Sequence, residues 1–296
     1  MDKNKPKIDF IGIGMSRSGS TWINHCLNEH PDICMPKKLK LHWFDNDHKY
    51  DKGIESYYKE FKNCDTSKKL GENTPSYLVG KVTIERIYKH FPNVNLFVCL
   101  RNPIEMNISR YYYEKGKEQE FAPNFEEAIN GNQKNHYLKK GLYYTYLKNV
   151  LKFFSKDTIL VLIYEDIKKN PVKFIQQIYR HISVDDSFEA PSAKKIINAS
   201  SVNKRLVYFP LLNKILNYFK SKRDNLTINY LIKLLKITGL LYLLKRLRKL
   251  NKKKIIKSKE AKPKIKNETR KMLQEYYRDE IQNLEKLINK NLSHWK

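Results

Sequence analysis

At 296 residues the chain is long enough to bury a substantial core as one large domain, and two independent domains are possible but not required. Lys and Arg outnumber Asp and Glu by 58 to 31, a formal charge of +27, which favours an anionic partner such as a nucleotide, a polyanion, nucleic acid or an acidic membrane. A bias of the whole composition towards Lys, Asn and Ile explains this excess equally well. The polar N-terminus argues against a signal peptide, and the lack of about 18 consecutive apolar residues argues against a spanning anchor.

The four cysteines, Cys26, Cys34, Cys64 and Cys99, lie in the first third of the chain. They form no CxxC pair and have no His-rich partner spacing. This pattern argues against a zinc site and against a disulfide framework. We therefore expect a reduced compartment and a cytoplasmic protein, with a peripheral position at the membrane as the alternative.

The chain opens with a strand, a glycine loop and a helix. Ile8 to Ile13 is predicted as a short buried strand, Gly14 to Gly19 as a tight loop, and Thr21 to Asn28 as a helix that ends before a His-Pro pair. Val94 to Leu100 and Thr158 to Tyr164 are further apolar runs of strand length.

Helix-period segments separate these strands, at Ile54–Lys62, Val82–His90, Tyr137–Phe154 and Val172–His181. Near-continuous apolar strands between helices predict an α/β fold, a P-loop-like three-layer α/β/α architecture with a central parallel sheet.

Beyond Pro191 the chain becomes basic and rich in Leu, Ile and Lys, with few strand signals. We expect a nucleotide-binding core in residues 1–190 and a helical, basic C-terminal part in residues 191–296, both within one domain, 1–296. Lys245 to Lys266 holds twelve basic residues and one acid, and Glu268 to Ile288 is an amphipathic helix. The basic helices are either a cap on the core or a peripheral contact with an anionic membrane.

The loop from Gly14 to Thr21, called here the phosphate loop, nearly spells the motif G-x-x-x-x-G-K-[ST]. Ser20 stands where a nucleoside triphosphatase or kinase needs Lys, so those activities are not expected. The backbone N–H groups of such a loop still suit a phosphate, and Arg17 supplies positive charge. Without other evidence, the segment could also be a Gly/Ser turn that joins strand to helix.

A second signal follows the next strand, where Arg101 stands at the strand end and Ser109 lies about two turns into the next helix. Ligand groups collect beyond the carboxyl ends of neighbouring parallel strands, so both side chains could converge on one anion. Two anion sites suit a nucleotide that is phosphorylated at its 5′ and 3′ positions.

These two motifs resemble those of the sulfotransferases that use PAPS (3′-phosphoadenosine 5′-phosphosulfate), which carry a [RK]-x-G-[TS]-[TS] loop and an R-x(7)-S element. The resemblance extends along most of the chain in the family's order and favours its bacterial and heparan-sulfate-like branch. Further matching blocks are His30-Pro31-Asp32-Ile33, His42-Trp43-Phe44-Asp45, Gly71-Glu72-Asn73-Thr74-Pro75-Ser76-Tyr77-Leu78, Gly141-x-Tyr143-x-x-x-Leu147, Tyr164-Glu165-Asp166-Ile167 and Leu292-Ser293-His294-Trp295.

The resemblance implies an enzyme that transfers a sulfuryl group from PAPS, with no metal, to an acceptor hydroxyl or amine on a saccharide or glycolipid. The 5′ side of PAPS would lie on the phosphate loop, and its 3′-phosphate on Arg101 and Ser109. A loose match at Asn198-Ala199-Ser200 through Arg205 resembles a loop that closes over the nucleotide. The cofactor-binding residues implied are Arg17, Ser18, Gly19, Ser20, Thr21, Trp22, Arg101, Ser109 and Arg205.

The general base is the catalytic residue that the resemblance does not identify. Lys40 stands at the position of the family's usual Glu, and a protonated Lys cannot be the base. His42 is the first substitute and Glu72 the second, although His42 could instead fix its loop and Glu72 could orient Arg17 or the sheet edge. Lys40 could bind an anionic acceptor or the sulfuryl oxygens, with Arg17 as electrophile. Alternatives are an inactive relative, or a nucleic-acid or anionic-membrane binder on the same fold, although no nucleic acid is expected.

Overall fold

The computed structural model describes residues 6–117, 119–120, 122–131, 134–194, 202–207, 230, 235, 238–239, 242, 252–258 and 265–295, with backbone alone in 202–207 and 252–258. The chain divides into two compact units. The first holds residues 1–108, 133–197 and 266–296, and the second holds residues 109–132 and 198–265.

A five-stranded sheet, ordered β2-β3-β1-β4-β5, forms the centre of the first unit, and each neighbouring pair is parallel. This confirms the predicted α/β fold with a central parallel sheet. From β1 the chain goes to the edge strand β2, returns to β3 beside β1, and then crosses to β4 on the other side of β1. Folds of this kind bind ligands in the crevice beyond the carboxyl ends of the strands where the connections change side, here β1 and β4. The strands are β1 (Phe10–Gly14), β2 (Ile33–Cys34), β3 (Lys69–Asn73), β4 (Asn95–Leu100) and β5 (Ile159–Ile163).

Helices flank this sheet and connect its strands, as parallel pairing requires. Those before β5 are α1 (Ser20–Glu29), α2 (Asp47–Tyr50), α3 (Glu55–Tyr58), α4 (Lys81–His90), α5 (Pro103–Gly116), α6 (Phe125–Asn130), α7 (Lys134–Leu138) and α8 (Tyr143–Val150). Those after β5 are α9 (Asp166–Lys169), α10 (Pro171–His181), α11 (Pro191–Lys194) and α12 (Asn267–Ile288). Short 3-10 helices lie at Lys59–Phe61, Tyr77–Val79, Lys139–Gly141, Lys156–Thr158 and Ser293–Trp295.

The core on one face of the sheet is formed by α1 and α10 packed over the strands. Its buried side chains include Phe10 and Phe97 from the sheet and Trp22 and Phe174 from the helices. Apolar residues three and four apart on α10, such as Phe174 and Ile178, explain why this helix buries one face. Packing in this core therefore holds α1 against the sheet, next to the end of β1.

The second unit, as described, contains the last part of α5, helix α6 and a two-stranded antiparallel sheet of β6 (Val202–Val207) and β7 (Lys252–Ser258). Its α5 segment is anchored by a hydrogen bond from the Tyr111 hydroxyl to the Ala122 carbonyl, 2.9 Å. The strand pair differs from the helical C-terminal region that the sequence predicts. Adjacent β-branched residues, Ile255 and Ile256, favour a strand at β7 despite the surrounding lysines. Most of Tyr230–Leu250 and of the basic segment lies outside the described residues.

One cysteine prediction is wrong. Cys34 and Cys64 form a disulfide, with Cα atoms 5.6 Å apart, whereas Cys26 and Cys99 are free and buried. The sequence separation of 30 residues resembles no short motif. Cys34 ends β2, and Cys64 lies on the segment between the 3-10 helix Lys59–Phe61 and β3. The expectation of no disulfide is therefore corrected. In the part of the chain that the structure describes, no helix is both long enough and apolar enough to cross a membrane.

Candidate active site

The phosphate loop leaves β1 at the carboxyl edge of the sheet. The Met15 amide donates to the Cys99 carbonyl, 2.8 Å, and so fixes the start of the loop to β4. Arg17 and Gly19 have φ values of 70° and 81°, a left-handed conformation that is easy for Gly and uncommon for Arg. The buried Ser18 hydroxyl has no hydrogen-bond partner among the described residues. An orphaned buried donor inside a curled loop fits an anion whose oxygens would accept from it.

Helix α1 begins at Ser20, directly after the loop. Gly19 provides no side-chain cap, and the first turn contains no acidic residue, so its free N–H groups retain their preference for an anion. Thr21 is exposed at this end. Trp22 instead points into the core, where its indole N–H donates to the Ser192 carbonyl, 2.9 Å, so its ring packs inward and supports the loop from below.

Arg101 follows β4, the strand next to β1. Its Nη1 donates to the carbonyl oxygen of Arg17, 3.1 Å, and its guanidinium lies over the ring of Tyr164, 4.7 Å from the ring centroid. The arginine is thereby held against the phosphate loop with its planar group oriented by stacking. Ser109 lies buried in α5, in the second unit. Arg205 lies in β6, and its side chain is outside the described residues.

His42 lies on the loop Leu39–Asp45, which we call the acceptor-side loop. Its Nδ1 is 3.1 Å from Asp45 Oδ2 and 3.2 Å from the Ser76 hydroxyl, and Ser76 also donates to Asp45. Burial opposes ionisation of Asp45, but the hydrogen bonds from His42 and Ser76 hold its pKa below the ordinary value. A carboxylate on Nδ1 selects the tautomer in which Nε2 is free to accept a proton. The His42 side chain is 46% exposed, so substrate can reach it.

Glu72 is buried, with 1% exposure, near the end of β3. Its Oε2 accepts from the Thr74 hydroxyl, 2.6 Å, and its Oε1 accepts from the Tyr77 hydroxyl, 3.0 Å. Burial raises the pKa of this carboxyl to about 7, against the hydrogen bonds that lower it. Both of its oxygens face protein hydroxyls. This arrangement suits an anchor more than a base that must meet a substrate.

Lys40 lies half-buried on the acceptor-side loop, two residues before His42. Lys49, from α2, donates to the carbonyl of Leu41 on the same loop, and desolvation lowers its pKa. Two lysines, one on the loop and one from α2, therefore lie at this segment. No group of three or more His, Cys, Asp or Glu side chains within the described residues is arranged to hold a metal ion.

The comparison with known protein families gives one match over nearly the whole chain, the sulfotransferase domain, which matches residues 7–288. The chain belongs to the sulfotransferase family. This confirms the resemblance drawn from the motifs. A sulfotransferase from Alicyclobacillus acidocaldarius confirms the fold, with a TM-score of 0.68, 18% identity and coverage of 98% of each chain.

Two curated proteins are similar to parts of this sulfotransferase. The membrane-associated sulfotransferase kil1 of Dictyostelium discoideum is 32% identical over 129 residues, 41% of this chain and 27% of the relative. The human heparan sulfate glucosamine 3-O-sulfotransferase 5 is 26% identical over 186 residues, 59% of this chain and 53% of the relative. The chain thus spans about half or less of the length of these relatives.

Three site residues were not singled out from the sequence. Asp45 and Ser76, which contact His42, stood inside blocks that carry the resemblance, and this was the available signal. Tyr164, which stacks on Arg101, likewise begins the block after β5. Pattern alone does not tell which members of a block face the site, because that depends on how the loops fold.

Proposed function

We propose that this sulfotransferase moves a sulfuryl group from PAPS to an acceptor hydroxyl or amine. The observation that carries the proposal is the contact of Arg101 with the phosphate loop, beyond the ends of the adjacent strands β1 and β4. Two cationic side chains and an orphaned hydroxyl there match a nucleotide with anionic groups at two positions.

In this proposal the phosphate loop binds the 5′ side of the donor. Arg17 and the free N–H groups at the start of α1 offset its negative charge, and Ser18 donates its orphaned hydroxyl. Gly19, Ser20 and Thr21 complete this cradle. Arg101 binds the 3′-phosphate, whereas the roles expected for Ser109 and Arg205 stay predictions from the sequence. The family match supports these assignments because it covers both motifs.

PAPS supplies an activated sulfuryl group whose bond to the 5′-phosphate breaks when the acceptor attacks sulfur. His42 takes the acceptor proton on Nε2 as the acceptor oxygen or nitrogen forms its bond to sulfur. Asp45 stabilises the imidazolium that results, because its lowered pKa keeps it ionised. Arg17 faces the charge that develops on the departing phosphate oxygen, and Lys40 is available for an anionic acceptor.

We propose a carbohydrate acceptor, a saccharide or glycolipid. The support is the similarity to a relative named for heparan sulfate glucosamine, together with Lys40 on the acceptor-side loop and Lys49 of α2 beside it. We also propose that both compact units form one catalytic domain, since the family match spans them. Membrane contact by the basic C-terminal segment stays a prediction, as that segment lies largely outside the described residues.

The location of the protein is tied to the disulfide. Disulfides persist in oxidising compartments, so the Cys34–Cys64 bond does not fit the cytoplasmic location expected from the sequence. We therefore propose an oxidising environment. Mass spectrometry of the protein alkylated directly in its native cells tests this, because free thiols at both positions would contradict it.

The experiment for the function is transfer of ³⁵S from labelled PAPS to a panel of acceptors that includes heparan sulfate, its desulfated form, a glycolipid and a phenol. We expect labelled saccharide and release of adenosine 3′,5′-bisphosphate, with loss of both in Arg17→Ala and His42→Ala. Labelled phenol alone would contradict the carbohydrate assignment. An absence of bisphosphate binding and of transfer would contradict the function itself.

A further inference from the structure

The acceptor-side loop is held from below by a buried carboxylate. We propose that Glu72 is a positioning residue for His42: it fixes the two backbone amides on either side of this histidine through two hydroxyl relays. The inference rests on the proposed function in that His42 is taken as the base. It gives Glu72 a different role from the proton acceptor that the sequence suggested.

The first relay runs through Thr74. The Thr74 hydroxyl donates to Glu72 Oε2, 2.6 Å, so its oxygen is free to accept, and it accepts the backbone N–H of Leu41, 3.0 Å. All three residues are buried. Because the Thr74 hydroxyl donates its proton to the Glu72 carboxylate, its oxygen becomes a better hydrogen-bond acceptor. Hydrogen bonds in such a chain polarise and strengthen one another in a low dielectric.

The second relay runs through Tyr77. Its hydroxyl donates to the other carboxylate oxygen, Oε1, 3.0 Å, and accepts the backbone N–H of Trp43, also 3.0 Å. Each oxygen of Glu72 therefore serves one relay, and the relays end on residues 41 and 43. His42 is the residue between them.

The two fixed amides matter because His42, which lies between them, adopts an unfavourable backbone conformation. Its φ is 49°, in the left-handed region that costs a non-Gly residue free energy and persists only where the surroundings impose it. Fixed amides at Leu41 and Trp43 supply that constraint. The conformation in turn brings the imidazole against Asp45 and Ser76, where Nδ1 is 3.1 Å from the Asp45 carboxylate.

The charge state of the relay depends on Glu72 itself. The two phenols that face it, Tyr57 from α3 and Tyr77, have pKa values well above the ordinary range because burial disfavours the phenolate, and so they stay neutral. The titratable groups of the loop are Lys40, His42 and Asp45, and those of α2 are Asp47, His48, Lys49 and Tyr50. Lys49 contacts the Leu41 carbonyl. A protonated Glu72 would turn one of its acceptor oxygens into a donor and disturb one relay.

The test compares four variants of the full chain. Glu72→Gln keeps the shape but places an amide donor against one hydroxyl, Thr74→Val and Tyr77→Phe each remove one relay, and Asp9→Asn is the control. Asp9 also anchors a backbone amide, that of Leu70, 3.0 Å, but at the opposite end of β3. We expect kcat for transfer to heparan sulfate to fall about 10- to 100-fold in the first three variants and to stay unchanged in the control.

The affinity for adenosine 3′,5′-bisphosphate separates positioning from damage to the fold. We expect its Kd by calorimetry to stay within about threefold of wild type in all four variants, because the relays do not touch the phosphate loop. The Gln amide can oppose either hydroxyl, so we also expect Glu72→Gln to be non-additive with at least one of Thr74→Val and Tyr77→Phe in the double variants. Fully additive effects would overturn the inference.

A second measurement needs no acceptor. The ring ¹³C–¹H signal of His42, assigned with His42→Asn, should show a second pH-dependent step near pH 7 in wild type that Glu72→Gln lacks. A His42 signal identical in both proteins across pH 5 to 9 would overturn the inference, even where bisphosphate binding upholds the proposed function. Failure of the wild type to bind bisphosphate would contradict the proposed function. The His42 signal would still test whether Glu72 positions His42.

Discussion

Replacing Glu72 with Gln should remove a loss of stability that the wild type shows as the pH rises through neutrality, while it lowers activity. The folded protein keeps this carboxyl in a buried site that raises its pKa from 4.5 to about 7. A carboxyl whose pKa is raised by folding contributes its stabilisation fully below pH 4.5 and loses it as the pH rises through about 7. Glutamine is neutral at every pH and should show no such loss.

The magnitude follows from the same two pKa values. Each pKa unit is worth about 1.36 kcal/mol, so the step from 4.5 to about 7 corresponds to about 3 kcal/mol in total. Part of the loss has already occurred at pH 5, because the unfolded chain begins to ionise there. Between pH 5 and pH 8 the wild type should therefore lose about 2 to 3 kcal/mol relative to Glu72→Gln.

Urea unfolding of both proteins at half-unit pH intervals from 5 to 9 measures this difference. Glu60→Gln is the matched control, because Glu60 is an exposed carboxylate in the 3-10 helix Lys59–Phe61. For the control we expect a difference from wild type that is constant within about 0.5 kcal/mol. A pH-independent difference for Glu72→Gln as well would refute the claim that the buried carboxyl titrates near neutrality.

Three further changes should each affect one property. His42→Ala should lower kcat about 10²- to 10⁴-fold while the Kd for adenosine 3′,5′-bisphosphate stays unchanged, and a joint loss of both would argue against a role as base. Reduction of the Cys34–Cys64 disulfide, which closes a loop of about 30 residues, should lower the free energy of unfolding by about 3 to 4 kcal/mol, whereas the Cys34→Ser/Cys64→Ser double variant should not respond to reductant. Gly71→Ala should destabilise by about 1 to 3 kcal/mol or more, because a Cβ there would clash with the carbonyl oxygen and the ring of Phe10, and an unchanged urea midpoint would contradict this packing.

The strands that the sequence predicted are those with continuous apolar character. Residues 95–100 and 159–163 are rich in Leu, Ile and Val and match β4 and β5. β3 was not predicted, because its sequence Lys-Leu-Gly-Glu-Asn reads as polar and carries a Gly. The strand is buried all the same, since Gly71 allows the close approach of Phe10, and Glu72 and Asn73 find hydrogen-bond partners inside the protein.

The motifs predicted where the site lies, but they did not predict how its side chains are arranged. The spacing after two strands predicted that Arg17 and Arg101 belong to one nucleotide site, and parallel pairing of β1 with β4 explains why they meet. The roles of His42 and Glu72 depended on side-chain directions that no spacing encodes. The disulfide was missed for a similar reason, because its two cysteines are 30 residues apart and come together only in the folded chain.

The most direct test of the account is calorimetric titration with adenosine 3′,5′-bisphosphate, without Mg²⁺, beside ATP and AMP. We expect micromolar binding of the bisphosphate to the wild type and a loss of at least about tenfold in Arg17→Ala and in Arg101→Ala, because each removes a charge-assisted contact. Equal binding of ATP, or bisphosphate binding that survives both substitutions, would contradict the assignment of the phosphate loop and Arg101 to a PAPS site.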